Sequence, residues 1–563
     1  MASRTSPFDD IAPLPVLDAA GARPPSSGSL MDEKRSVSSA SQDELEGKEE
    51  VHAHAEQASP FEGGEYNPAV VGHPARIKYV ATFAVLFFSL GSNFLSSSIS
   101  PLKSTLRKEL GINNAQYASV DTASSLINTI LPIVSGIAID YYGPFAGAIW
   151  SSFFIFLGAI LTSVAASRGS YPLFLAAQII FGIGDTSIET TQNKLYSFYA
   201  LGGGIVGFIY GLDIGIGRVW NLSGRLSAVP IYEGTGHFAW TFWIGTILCG
   251  FTFALVLALW AYSFTFPEPS QVPTGRKAAR ARAAEAARRG EVVKTDFISL
   301  WKTERKYFMQ SLFAIPACFW IFDVSALLQN GAVSAYTSNL ADAISVTRDK
   351  SKAAAGYTSA IGQIIPIVLT PALGFLFDRW GHRMAWVTWT ASLWIVVFCL
   401  LAYTQVNALC VSILGSLALA TNVLPYIASI PLLVPDQRRL GTAFGVYKAL
   451  NNCNSVITNV AAGAIQDKSG TGKNQYSRVF AFLIAIKAID VLLGLSYQFL
   501  DKKYLHGVLT ASDAKLRRLE AEIPQEELHG GVRAPRRGVS IFGLSVVSAA
   551  IVVAWVLYWV YSV

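Results

Sequence analysis

Apolar runs of about 20 residues, many without an ionisable side chain, recur from Tyr79 to the end of the sequence. A helix needs about 20 such residues to cross ~30 Å of hydrocarbon, where every backbone polar group must be satisfied within the helix. Of the 563 residues, 52% are hydrophobic and 15% are charged, whereas about a quarter are charged in soluble domains. The sequence therefore predicts an all-α membrane protein.

The apolar runs form two sets of six, followed by one more. The first set lies within residues 76–265 and the second within 307–500, and the last run, 541–563, has 23 residues without a charge. Two six-helix bundles and a thirteenth transmembrane helix are therefore expected. The spans of the two bundles are predicted near 79–100, 115–139, 145–167, 171–196, 205–231, 237–263, 307–331, 353–377, 384–404, 408–433, 440–465 and 478–500.

Charged segments between the runs predict the orientation. The linker 266–306 contains GRKAARARAAEAARRG, whose arginines at helical spacing indicate a short helix against anionic headgroups on the cytosolic side. The N-terminus is then cytosolic. Residues 1–75, rich in Ser, Pro and acidic residues, are predicted to be a disordered cytosolic tail, and 501–540 a second tail. The net charge of +6 lies largely in loops, so it reports orientation and predicts no nucleic-acid partner.

One residue spacing occurs twice, at the ends of the second and eighth predicted spans. GIAIDYYGP and GFLFDRWGH both read G-x-x-x-D-x-x-G, with Asp140 and Asp378 at the acidic position. Two repeats of six helices around a central site are how many secondary transporters alternate access between the two sides of a membrane. The repeat therefore predicts a transporter built from two related halves.

The second copy, G-x-x-x-D-R-x-G-x-R, resembles the signature loop of the major facilitator superfamily, which implies the major facilitator fold. In that family the acid caps a neighbouring helix and pairs with arginine, which latches the two halves together. The first copy has no basic residue after its acid, so Asp140 is expected to act with the helix dipole alone and to control gating less. The alternative is a tight charged turn that only fixes topology. The matching residues of the second copy are Gly374, Asp378, Arg379, Gly381 and Arg383.

Ionisable residues inside the fourth and fifth predicted spans need a cause, because each costs at least ~2.5 kcal/mol at mid-membrane. Asp185 and Glu189 are four residues apart and share one helix face, and Asp213 and Arg218 follow on the next span. The functional hypothesis is that Arg218 binds a substrate carboxylate while an acid of the fourth span binds an amine or a coupling proton. The alternative is an internal salt bridge between Arg and Asp that joins the two spans.

The second set of spans carries fewer such residues. Asp323 in the seventh span is a candidate to bind a cationic ligand group or a proton, and Lys448 in the eleventh is a candidate to bind a carboxylate. The alternatives are an intramembrane ion pair and snorkelling of the side chain to the interface.

Three stretches resemble the lysosomal dipeptide transporter branch of the superfamily: FGIGDTSIETTQN, GIGRVWNLSG and VPDQRRLGTAFGVYKALNN. The resemblance implies a secondary transporter of dipeptides, cationic ones among them, in a lysosomal or vacuolar membrane. It places Arg218 on the arginine that holds the peptide carboxylate. Where the branch has Gly-Glu, this chain has Asp185 and Thr186, so the amine-binding acid is expected to be Asp185 or Glu189.

Animal members of that branch work with a heavily glycosylated lumenal partner, so the resemblance leaves room for such an accessory subunit. Two other functions stay open: the same fold carrying organic anions or sugars, and a receptor or scaffold that does not transport. An enzyme is not predicted, because no nucleophile, base and oxyanion grouping is visible. No metal or cofactor is expected either, since the five cysteines are scattered singly.

Overall fold

The computed structural model describes residues 75–112, 114–200, 205–267, 270–289, 305–308, 310–469, 474–512, 515–516 and 534–562. Within these ranges every regular element is a helix. The predicted tail 1–75 lies outside the described residues except for Ala75. The end of the linker and about half of the second tail also lie outside them.

The described part of the first half contains eight helices that form six membrane-length stretches. A short break separates α1 from α2 within the first stretch, and α3 is a brief helix that follows it. The bounds are α1 Ala75–Val85, α2 Leu90–Ile99, α3 Lys103–Glu109, α4 Asn114–Tyr142, α5 Pro144–Arg168, α6 Tyr171–Ala200, α7 Val206–Thr235 and α8 Ala239–Ser263.

The linker helix and the second half follow, and three stretches of this half are broken. The bounds are α9 Gly275–Arg288 in the linker, then α10 Ala317–Asp323, α11 Ala326–Gln329, α12 Gly331–Thr347, α13 Lys352–Ile361, α14 Ile365–Trp380, α15 Arg383–Tyr403, α16 Ala408–Asn422, α17 Leu424–Leu433, α18 Leu440–Lys468 and α19 Asn474–Tyr504. The thirteenth stretch is α20, Arg537–Ser562. The predicted all-α architecture is confirmed.

The predicted end of the seventh span, near residue 331, is wrong. The stretch continues as α12 to Thr347. Its sequence, GAVSAYTSNLADAISVT, is too polar to be recognised as a span, but Ala332, Ala335 and Ala343 are buried against neighbouring helices. The small side chains of this segment give it a low hydropathy. The same small side chains allow it to pack closely against neighbouring helices.

Eight described helical stretches are long and apolar enough to cross a membrane, and a ninth if the bent pair 305–313 and 317–347 is one span. Four other long stretches do not pass that test: α4, α7, α13 with α14, and α18. These are the helices at which the two halves meet, because α4 packs along α18 and α7 along α14. These stretches pack on other helices along much of their length, so a lower hydropathy is compatible with a place in the bundle.

Glycines allow both of these crossings to be close. A Cβ on Gly136 of α4 would overlap the backbone carbonyl of Gly441 in α18. A Cβ on Gly374 of α14 would overlap the carbonyl of Gly207 in α7 in the same way. Small residues permit backbone approach between helices in a membrane. The repeated motif therefore supplies the contact glycine at each crossing.

The thirteenth helix packs against both halves. The indole Nε1 of Trp555 donates a hydrogen bond to the Thr129 hydroxyl of α4 at 3.0 Å. At its other end, Gly543 lies on the ring of Trp320 in α10, and α20 also packs along α18. Its opposite side exposes Val552, as expected for a lipid-facing surface. The helix therefore spans the α4–α18 crossing on the outside of the bundle.

We expect Gly543→Ala to lower the midpoint of thermal unfolding in detergent. The added methyl group would overlap the buried Trp320 ring, and overpacking of this kind costs about 1–3 kcal/mol. Gly538→Ala on the same helix is the matched control, because a Cβ there meets no atom within 4 Å. Equal midpoints for the two variants would contradict this packing of α20.

Candidate functional site

Two acids cap helices that belong to the opposite half of the chain. Asp378, near the end of α14, accepts hydrogen bonds from the backbone amides of Gly207 and Phe208 at 2.7 and 2.8 Å, in the first turn of α7. Asp140, near the end of α4, accepts from the amides of Gly441 and Thr442 at 2.8 and 2.6 Å, in the first turn of α18. These amides have no partner within their own helices, and the helix dipole favours an anion there.

The end of the molecule that contains Asp140 and Asp378 is called the latch end here. Because each carboxylate holds a helix of the other half, both caps must break if the halves separate at this end. The latch end is therefore closed in this structure.

The expectation that Asp140 has no basic partner is wrong. Lys194 of α6 places its Nζ 2.5 Å from the carboxylate, and both side chains are fully buried. The Thr442 hydroxyl also donates to Asp140 at 2.6 Å. The motif places its cation within the loop, but Lys194 lies 54 positions after Asp140 in the chain.

The arginine of the second motif reaches the segment that follows α19. Arg383 is buried, and its Nη1 donates to the carbonyl of Ala511 at 3.1 Å. The amide of His382 donates to the carbonyl of Thr510 at 2.9 Å. Gly381 has a φ of 71° and lies against Thr510 so closely that a Cβ would overlap it. Arg379 is exposed. This loop therefore fixes residues beyond α19 that were assigned to a tail.

A second group of charges lies between the halves. Lys448 of α18 forms an ion pair with Glu189 of α6, and the two side chains are 30% and 41% exposed. Asp185, one helical turn before Glu189, is close enough for its charge to interact with both residues, and it faces the Ser92 hydroxyl of α2. The structure therefore brings three predicted residues together at one accessible place. Two carboxyl groups there face one ammonium group.

The two predicted residues of α7 have different surroundings. Asp213 accepts hydrogen bonds from Tyr196 at 2.8 Å and from Gln192 at 3.3 Å, both on α6. Arg218 donates from Nη1 to the side-chain oxygen of Gln363 at 3.0 Å, at the break between α13 and α14. Among the described residues, no carboxylate lies within ion-pair distance of Arg218, and its Nε has no hydrogen-bond partner. The alternative of an internal salt bridge between Arg218 and Asp213 is therefore not formed.

Comparison with known proteins agrees with this architecture. The family model described as Major Facilitator Superfamily matches residues 324–563. A mouse (Mus musculus) protein named "Lysosomal dipeptide transporter MFSD1" is 24% identical over 470 residues, which cover 80% of this chain and 93% of that protein. The human (Homo sapiens) protein of the same name is 25% identical over 439 residues, covering 74% of this chain and 86% of the relative.

Solved structures share the fold. FucP, a major facilitator transporter in its outward conformation, superposes with a TM-score of 0.51 at 15% identity, covering 74% of this chain and 99% of FucP. The human organic anion transporter MFSD10 gives a TM-score of 0.50 at 15% identity, covering 75% and 100%. The chain has the fold of these transporters, and its residues 324–563 match the family model of the major facilitator superfamily. It resembles the lysosomal dipeptide transporter branch.

Asp323 does not join the accessible charges of this transporter. It is the last residue of α10 and is 1% exposed. Neither of its carboxylate oxygens has a hydrogen-bond partner in the part of the chain that the structure describes. Its carboxyl group is therefore buried in this conformation.

Sequence reasoning missed a buried ion pair in α19. Lys487 lies 2.9 Å from Asp490, and both are almost fully buried. Lys487 also donates to the carbonyl of Gln329 at 2.7 Å, and Tyr426 donates to Asp490 at 3.3 Å. The signal was present as AIKAID, a Lys–Asp pair at a spacing that shares one helix face. The second half is therefore richer in charge than expected.

Mutations can show which of the two latch caps, Asp140 or Asp378, contributes more to stability. We now expect Asp140→Asn to destabilise the latched state more than Asp378→Asn, because it also leaves Lys194 buried without a counter-charge. Breaking a buried pair costs about 3–5 kcal/mol. Thermal unfolding of both variants and of Lys194→Met should show it.

The double variant Asp140→Asn with Lys194→Met provides the control, since it removes both charges and should cost less than the sum of the single changes. If Asp378→Asn lowers the unfolding midpoint more than Asp140→Asn does, this ranking of the two caps is wrong.

Proposed function

We propose that this transporter moves dipeptides by alternating access across a lysosomal or vacuolar membrane. The observation that carries the proposal is Arg218, which is held by a neutral amide and has no carboxylate partner among the described residues. An uncompensated cation inside a membrane protein is costly. A substrate carboxylate would supply the missing charge, and a guanidinium binds a carboxylate through two parallel hydrogen bonds.

The excess of negative charge at Asp185 and Glu189 supports binding of an amine. Asp185 and Glu189 together face only Lys448, so an ammonium group would balance this site. A zwitterion that binds here would compete with Lys448 for Glu189. Since that ion pair joins the two halves, substrate binding would act directly on the contact between them.

The spacing of Asp213 and Arg218 along α7 favours a dipeptide over a single amino acid. Asp213 is close enough to Glu189 for their charges to interact, and Arg218 lies five residues further along α7, about 7.5 Å along the helix axis. Two extended residues span about 7 Å between their ends, and one residue spans about half of that. The relatives named lysosomal dipeptide transporters support the same substrate class and the same membrane.

Alternating access follows from the closed latch end, which we assign to the cytosolic side. The caps at Asp140 and Asp378 hold α18 and α7 while the opposite end admits substrate. Release to the other side requires both caps and the pair between Glu189 and Lys448 to separate. The two halves would then rock about the bound dipeptide.

The test uses one dipeptide, Lys-Ala, with its C-terminal amide and its N-acetyl form, measured by thermal shift and by uptake into proteoliposomes. Each modification should weaken binding by at least about tenfold, because it leaves one site charge unpaired. Arg218→Gln should abolish the preference for the free carboxylate. Glu189→Gln or Asp185→Asn should abolish the preference for the free amine. Arg225→Gln is the matched control, because Arg225 is an exposed cation on the same helix.

Other outcomes identify other functions. If sugars or organic anions without an amine are transported and dipeptides are not, the substrate class is wrong. Unchanged selectivity in Arg218→Gln would remove the central role of Arg218. Absence of any saturable flux would favour the receptor or scaffold.

A further inference from the structure

A cleft of about 310 Å³ lies between α10, α19 and α20, beside the segment that follows α19. It is called the α20 groove here. Its volume is near the lower end of the range of about 300–1,000 Å³ that small-molecule sites occupy. Aliphatic and aromatic side chains form most of its wall, among them Ile321, Phe322, Leu433, Leu500, Leu505 and Val539.

The polar groups in the wall of the α20 groove are already satisfied by the protein. Asp501 is fully buried and accepts hydrogen bonds from the backbone amides of Leu509 and Thr510 at 2.9 and 3.0 Å. The Tyr497 hydroxyl donates to two backbone carbonyls of α10 at 3.2 and 3.3 Å. An occupant of the groove would therefore meet an apolar surface, which favours a hydrocarbon chain over a polar ligand.

Two cations lie at the mouth of the groove. Arg536, just before the start of α20, is an exposed lining residue. The Nζ of Lys503 lies 5.1 Å from the centre of the Tyr504 ring, and Tyr504 also lines the groove. Within the described part of the chain, no carboxylate is at ion-pair distance from Arg536 or Lys503. The mouth therefore attracts an anion.

The level of these cations corresponds to the edge of the bilayer. Arg536 comes just before the 23 uncharged residues 541–563, so it lies where α20 leaves the hydrocarbon. From there the groove runs beside Val539, and one turn further along the helix Gly543 contacts the Trp320 ring. Basic pockets between transmembrane helices bind anionic lipid headgroups. A basic mouth at headgroup level above an apolar cleft matches the two parts of a phospholipid.

We propose that the α20 groove binds one phospholipid whose headgroup carries a net negative charge. One acyl chain occupies the apolar cleft, and Arg536 and Lys503 bind the phosphate. A guanidinium can hold two phosphate oxygens through parallel hydrogen bonds. The lipid contacts α10, α19 and α20 together, so it anchors the thirteenth helix to the second bundle. Neither the transported substrate nor the direction of transport enters this inference.

Binding can be measured on the full-length protein in detergent after its lipid has been removed. Palmitoyl-oleoyl phosphatidylserine is added, and bound lipid is counted by native mass spectrometry. One phosphatidylserine should be retained in preference to phosphatidylcholine with the same chains. It should also raise the midpoint of thermal unfolding, because a ligand of the folded state stabilises that state. Glycerophosphoserine, the headgroup without chains, and oleate, an anionic chain without a phosphate, should raise the midpoint less.

Two substitutions separate the contributions of the headgroup and the chain. Arg536→Gln should weaken phosphatidylserine binding by about tenfold, the value of one hydrogen bond to a charged group, and leave phosphatidylcholine binding unchanged. Val539→Trp places an indole in the groove and should weaken binding of both lipids. The matched controls are Arg276→Gln in α9 and Val552→Trp in α20, two exposed positions outside the groove. Both controls should bind phosphatidylserine like the parent.

Equal retention of phosphatidylserine and phosphatidylcholine would overturn the proposal. Equal losses in Arg536→Gln and Arg276→Gln would also overturn it, because they would indicate attraction to surface charge alone. If glycerophosphoserine or oleate raises the midpoint as much as phosphatidylserine does, the groove binds a soluble anion or a fatty acid instead. Arg536 is exposed, so its variant tests the site even if Val539→Trp does not fold. Since no dipeptide is present, this proposal and the proposed function fail separately.

Discussion

The carboxylates of Asp140 and Asp378 each hold the first turn of a helix from the opposite half of the chain. Both caps depend on close backbone crossings, because a side chain at Gly136 or Gly374 would overlap the facing backbone carbonyl. Close contact brings the acids to unpaired helix amides, and the amides in turn hold the halves at a defined separation. The charges between the halves and the position of α20 follow from this closure.

The intramembrane charges differ in how they are compensated. Lys194 with Asp140, and Lys487 with Asp490, are buried pairs that stabilise helix contacts. The pair between Lys448 and Glu189 is partly exposed, and the proposed function lets a ligand replace one of its partners. Among the described residues, the hydrogen-bond partner of Arg218 is the side-chain amide of Gln363. In a transporter, a buried charge pair suits a fixed contact, whereas an accessible uncompensated charge suits a substrate.

Arg218 and Asp323 both lie beside breaks in helices. Arg218 lies beside the break between α13 and α14, and Asp323 at the break after α10. Both breaks belong to the second half, where irregular backbone is tolerated because it is buried in protein. Motion at one break would alter substrate contacts, and motion at the other would alter the surroundings of the acid.

The sequence by itself determined the all-α membrane fold, the repeat of six spans and the acids at the two crossings, because hydropathy and motif spacing are local properties. Only the tertiary structure decided which charges meet. Lys194 and Asp140 are 54 positions apart, and Lys448 and Glu189 are 259 apart. It also decided where the seventh span ends, because the small residues there pack closely against neighbouring helices although their hydropathy is low. A buried ion's partner depends on how helices cross, and that geometry is set by contacts between distant residues.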